Sequence, residues 1–252
     1  MLRVAICLVL CPALFAADDL RFSVGVKYWP SDFETALQNA DISRKESGDG
    51  ALAGVSFAVT KGKWNLSLNW MDGVSDYEIV EDALFSTIAV YDKADVDLGV
   101  NYAINQLFGV NVGYKMIETS AQIESSGIHI QDSDVDLKGV YLGGYAALPL
   151  NRLRSALVIS LGYGFLSTSD LSISGPSIPT EKYATDDADG PTGELSWNIQ
   201  LGQSTISLGY KYQDFDYTTT YTYTDFEGNP VQFDVDTQDA LEGFTLGYRY
   251  TF

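Results

Sequence analysis

The last nine residues, Phe244-Thr-Leu-Gly-Tyr-Arg-Tyr-Thr-Phe252, put Phe244, Leu246, Tyr248, Tyr250 and Phe252 on one side of an extended chain. Thr245, Gly247, Arg249 and Thr251 fall on the other side. Side chains alternate between the two faces of a strand, so this period of two specifies a strand with one apolar face. The pattern recurs in Leu20–Tyr28, Trp64–Trp70, Ala94–Tyr102, Phe108–Met116, Leu157–Phe165, Leu195–Ile199 and Ile206–Tyr212. It is less regular in 51–60 and 134–147, where Gly143-Gly144 suggests a bulge or close packing. These segments predict ten strands. The connections between them alternate in length: 30–50, 73–92, 120–133, 168–191 and 216–240 are long, whereas Lys61-Gly-Lys63, Asn105-Gln-Leu107, 149–154 and Leu201-Gly-Gln203 are short. All long connections therefore lie at one end of the strands. The last of them alternates too, through Phe215, Tyr217, Thr219, Tyr221 and Tyr223 and back through Val231, Phe233 and Val235. It predicts a hairpin that prolongs the final two strands, turned by Glu-Gly-Asn-Pro.

Which way the apolar face points decides what the ring of strands can be. Beyond residue 17 no segment supplies the ~20 continuous apolar residues of a membrane helix, but a spanning strand needs only ~9–11. The polar faces are rich in Gly, Ser, Asn and Ala, which suits a crowded hydrated lumen better than a solvated exterior. Aromatic residues recur at strand ends (Tyr28, Trp64, Trp70, Tyr102, Phe108, Tyr114, Trp197, Tyr212, Phe252), as interfacial girdles require. The expected fold is all-β: a transmembrane antiparallel up-and-down β-barrel of about ten strands, with long extracellular loops and short periplasmic turns. Closure is obligatory, because hydrocarbon offers nothing to pair an open strand edge. A soluble exported barrel, apolar face inward, is the competing expectation.

The ending Tyr248-x-Tyr250-x-Phe252 resembles the C-terminal assembly signal of bacterial outer-membrane proteins, and the alternating pattern resembles their small barrels generally. That resemblance implies a monomer in the outer membrane, surrounded by lipid and lipopolysaccharide and delivered by the barrel-assembly machinery. The amino terminus agrees with export. Arg3, the apolar run Val4–Leu10 and Pro12 before small residues make residues 1–16 an expected signal peptide cut after Ala16, leaving 17–252 as one barrel domain. Cys7 and Cys11, the two cysteines, both lie in that leader, so no disulfide or thiolate metal site is expected beyond it. With Lys+Arg 15 against Asp+Glu 34 and a formal charge of −19, the chain is unsuited to nucleic acid.

Chemistry is sparse. On the inferred lumen face stand Arg21, Lys27, Asp95, Asp97, Lys115, Asp136, Lys138, Glu194, Lys211 and Arg249, either a compensating salt-bridge ladder or a selectivity constriction. Ten strands lie just beyond the eight whose interior side chains fill, which favours the ladder and argues against substantial flux. The single histidine, His129, precedes Asp132 and Asp134 in the third long connection. An Asp–His pair at the rim resembles the chemistry of the ten-stranded omptin proteases, but His129 lies mid-chain without a flanking motif, and a solvated loop histidine is the expectation. Thr185-Asp-Asp-Ala-Asp-Gly190 fails as a calcium loop because it lacks the acid at its first position and the glutamate at its twelfth. Phosphate-loop, zinc and serine-elbow motifs are missing, and no cofactor is expected. The expected function is non-enzymatic, in surface interaction with an external ligand or host surface or in envelope integrity, through long acidic loops. A narrow channel for small solutes and an omptin-like or lipid-modifying rim enzyme are the alternatives.

Overall fold

Each of the ten predicted strands forms, and each runs well past its apolar alternation. The computed structural model describes residues 20–39, 43–82, 85–125, 128–150, 154–176, 178–224 and 228–252. The expected leader and its cleavage position lie outside the described residues. The strands are β1 (Leu20–Gln38), β2 (Ser43–Lys61), β3 (Trp64–Asp82), β4 (Phe85–Ala103), β5 (Phe108–Ser125), β6 (Ile128–Leu150), β7 (Ser155–Thr168), β8 (Leu171–Gly175), β9 (Ile178–Thr185), β10 (Ala188–Leu201), β11 (Ser204–Thr224) and β12 (Pro230–Thr251). Neighbours pair antiparallel in sequence order from β1 to β7, then β7 with β10, β10 with β11, β11 with β12, and β12 with β1. Ten strands thus close a ring. The remaining two, β8 and β9, form a hairpin inside the fourth long connection and lean on β6 and β11. At the seam Val24 faces Tyr250, Val26 faces Tyr248 and Tyr28 faces Leu246, and the Phe252 N–H donates to the Phe22 carbonyl at 2.8 Å.

The two ends of the ring differ as the connection lengths predict. At the short end, Gly62-Lys63 and Gly202-Gln203 make two-residue turns whose first position is left-handed (φ +58° and +66°), a conformation open to glycine. At the other end the connections expected as loops are largely paired strand. β1 stays in register with β2 as far as Gln38 opposite Ser43, β5 with β6 to Ser125 opposite Ile128, and β11 with β12 to Thr224 opposite Pro230.

Orientation follows from exposure. Val26, Phe57, Trp64, Trp70, Leu98, Val112, Leu142, Phe165 and Leu246 all face outward and are exposed, and Phe244 is 71% exposed. Lys93, Asp95 and Lys115 face inward and are 2% exposed. A soluble barrel would reverse both, so the soluble expectation fails. The apolar core lies inside the ring, on the far side of the lumen charges from the short turns. It consists of Trp29, Phe33, Leu52, Met71 and Leu241 in one cluster and Ile117, Leu137, Leu166, Ala188 and Phe215 in another.

Candidate functional site

Inward positions change character along the barrel axis. Nearest the short turns the lining is hydroxyl and amide: Ser23 meets Thr251 at 2.9 Å, the Asn65 amide donates to Thr60 at 2.8 Å, and Ser207 donates to Asn198 at 2.6 Å. Deeper in is a cavity of about 300 Å³ lined by Lys27, Ser56, Asn69, Glu194, Ser207 and Arg249 among others. Its inner end meets a charged layer. Lys27 Nζ lies 2.9 Å from Glu194, Lys115 donates to Asp95 at 2.7 Å and Asp97 at 2.9 Å, and Lys211 lies 3.4 Å from Asp95 and 3.8 Å from Asp97. Tyr141 reaches this layer across Gly113, where an added Cβ would come within 2.3 Å of its ring.

The apolar clusters close the lumen beyond the charges. Lys211 sits 4.3 Å over the Trp29 ring, which ties the charged layer to the first cluster. One ion pair is embedded at the level of the plug: Lys93 donates to both carboxylate oxygens of Asp239 at 2.8 Å and lies over Phe33. With Trp29, Leu52, Ile117, Leu137 and Leu241 at 0% exposure, the lumen is a blind vestibule, open at the short-turn end and blocked toward the long hairpins.

Six predicted lumen charges, Lys27, Asp95, Asp97, Lys115, Glu194 and Lys211, come together in this layer. Arg21 and Arg249 also face inward but stand nearer the mouth, where neither makes an ion pair with a described residue. Asp136 and Lys138 are not in the lumen. They share the outward parity of Val140 and Leu142, pair with each other at 2.7 Å, and leave the inward positions of β6 to Leu137 and Tyr141. His129 lies in β6 near its start, 3.1 Å from Asp132, with both side chains 36% exposed. Tyr248, Tyr250 and Phe252 face outward beside the seam, and Tyr250 and Phe252 contact edge to face. The sequence reading missed the Lys93–Asp239 pair and the apolar plug. Parity carried the signal: Lys93 is in phase with Asp95 and Asp97, whereas Trp29, Leu137, Phe215 and Leu241 are out of phase with the outward residues of their own strands.

The outward face changes as abruptly. Above the apolar belt the register sets acid opposite acid: Asp32 faces both Glu242 and Asp49, Glu118 faces Asp136, and Asp189 faces Asp216. Like charges directly opposite one another weaken a sheet, so this collar favours a surrounding that supplies cations. Lys138 relieves one pair. Around Asp216, partial burial and then the nearby Asp214, Asp189 and Asp236 push its carboxyl above the ordinary aspartate value. Among the described residues no three acidic or histidine side chains converge closely enough to hold a metal unaided.

A closed antiparallel ring with a filled interior and an outward apolar belt is a transmembrane β-barrel. The solved structures similar to it are of the same class. It resembles the outer membrane protease OmpT of Escherichia coli with a TM-score of 0.57 at 8% identity, covering 94% of this chain and 98% of that one. It also resembles the outer membrane protein OprG of Pseudomonas aeruginosa with a TM-score of 0.50 at 13% identity, covering 93% and 95%. No protein-family model matches the sequence, and comparison with curated proteins gives no match. The fold is that of the small Gram-negative outer-membrane β-barrels, in agreement with the expected place in the outer membrane.

Proposed function

We propose that the protein is a non-enzymatic barrel that contributes to envelope integrity by seating its acidic collar in the cation-bridged lipopolysaccharide leaflet. The observation that carries this reading is the outward run Glu242, Asp32 and Asp49, set opposite one another across β12, β1 and β2. Carboxylates in such positions repel one another in plain water. Beside anionic lipid A phosphates, divalent cations would bridge protein and lipid, the barrel giving one or two carboxylates and the lipid the remaining oxygens. Above the collar the same acidic, Tyr- and Thr-rich hairpins offer a surface for an external ligand. The closed plug speaks against the narrow-channel alternative.

The test is the heat-induced mobility shift of the barrel in bilayers with and without lipopolysaccharide. With Mg²⁺ present, lipopolysaccharide is expected to raise the midpoint, and chelation or the triple change Asp32→Asn, Asp49→Asn, Glu242→Gln should abolish that gain. A gain that survives both treatments would refute the collar's role.

A further inference from the structure

We infer that the blind vestibule is a binding site for a small anion reached from the periplasm, one that carries a phosphate or carboxylate on a hydroxylated body. The first argument is charge. The chain is strongly acidic as a whole, with a formal net charge of −19. On the short-turn side of the plug, however, the described lumen charges are Arg21, Lys27, Lys115, Lys211 and Arg249 against Asp95, Asp97 and Glu194. The three lysines are matched by the three carboxylates: Lys27 lies 2.9 Å from Glu194, and Lys115 and Lys211 share Asp95 and Asp97. Thr245 adds its hydroxyl to Glu194 at 3.4 Å. Arg21 and Arg249 are in excess of these contact pairs, with Glu194 acting on Arg249 from beyond ion-pair distance, and Arg249 lines the cavity directly.

The second argument is shape. The cavity, of about 300 Å³, falls at the lower end of the ~300–1,000 Å³ usual for small-molecule sites. Ser56, Ser196, Ser207, Asn69 and Asn198 line it, a set of donors and acceptors suited to hydroxyl groups. A guanidinium presents five N–H donors in a fork that fits phosphate or carboxylate bidentately, and Arg249 is exposed, open to a solute that enters the cavity. The third argument is access. Lys61, Lys63 and Arg154 stand at the short-turn rim. These cations add to the excess of cationic over acidic side chains in the lumen below, and such an excess draws in counter-charged solutes. The outer end offers the reverse: it is sealed by Trp29 and Leu241 and ringed by carboxylates. Anions therefore enter from the periplasm and leave the same way.

The experiment is calorimetric titration of the full barrel, refolded in detergent micelles in phosphate-free buffer, with glucose 6-phosphate and with glucose. Glucose 6-phosphate is expected to bind at least tenfold more tightly than glucose, and raising salt from about 50 to about 500 mM should weaken it. Arg249→Gln should lose at least tenfold in affinity while keeping the heat-induced mobility shift of a folded barrel, and Arg249→Lys should recover part of the loss. Equal affinity for the two sugars, or unchanged binding in a folded Arg249→Gln barrel, overturns the assignment.

Discussion

Asp95 holds two ammonium groups that are almost wholly buried. Its side chain is 1% exposed, with Lys115 at 2.7 Å and Lys211 at 3.4 Å. In Asp95→Asn, Lys115 keeps Asp97 at 2.9 Å, but Lys211 keeps only the same carboxylate at 3.8 Å. Removing one partner of a buried pair costs about 3–5 kcal/mol, because the charge left behind is unsatisfied. One of the two lysines remains compensated, which places Asp95→Asn at the lower end, about 3 kcal/mol. Asp97→Asn is the control. Asp95 then still serves both lysines, and Asp97 is 21% exposed, so the loss should be about 1 kcal/mol, the scale of a solvent-screened pair. The gap of about 2 kcal/mol corresponds to roughly a 30-fold difference in the unfolding equilibrium. Equilibrium urea unfolding of the barrel in phospholipid vesicles, followed by tryptophan fluorescence, would measure it. Adding Lys211→Met to Asp95→Asn removes the stranded ammonium, retains an aliphatic chain against Trp29, and should restore at least half of the loss. Should Asp97→Asn prove as costly as Asp95→Asn, or the second substitution restore nothing, the account of the charged layer is wrong.

Planar-bilayer recording of the native barrel is expected to show no steady single-channel conductance. Trp29→Ala combined with Phe215→Ala, one residue from each plug cluster, should open a small one. Asp216 gives a pH dependence of known sign. Its folded pKa is raised, so its contribution is stabilising below the unfolded pKa and is lost as pH rises through the folded value. Limited proteolysis of the outer part of the β11–β12 hairpin should therefore slow as pH falls from neutrality toward the carboxylate range, and Asp216→Asn should flatten that response. His129→Ala is expected to leave peptide and lipid hydrolysis by the purified barrel unchanged, and a turnover lost on substitution would establish a rim enzyme instead.

Within the belt, the strands were legible because lipid outside and polar groups inside give alternate residues maximal contrast, as in Phe244–Phe252. Beyond it that contrast disappears. Asp32 and Asp49 take outward positions that Val26 and Phe57 hold lower down, while Phe33 and Leu52 move to the inside. A reading keyed to apolar-outward alternation therefore ends its strands near Tyr28 and assigns the remainder to loops. The same inversion concealed the plug. Assigning Asp136 and Lys138 to the lumen was an error of phase, since counting by twos from Val140 or Leu142 leads to the lipid side. Register across strands, which places Asp32 between Glu242 and Asp49, and the contact across the lumen that brings Lys93 of β4 to Asp239 of β12, depend on segments remote in sequence and had no local signature.

The paired strands above the belt have a mechanical consequence. β1 has 19 residues, of which a membrane crossing uses ~9–11. At ~3.3 Å per residue and a tilt of ~40°, the remainder rises roughly 20–25 Å above the bilayer. A ribbon cross-linked by ladder hydrogen bonds has already lost its backbone freedom during folding, so a partner that docks on its upper reaches meets a stiff scaffold and forfeits little affinity to ordering it.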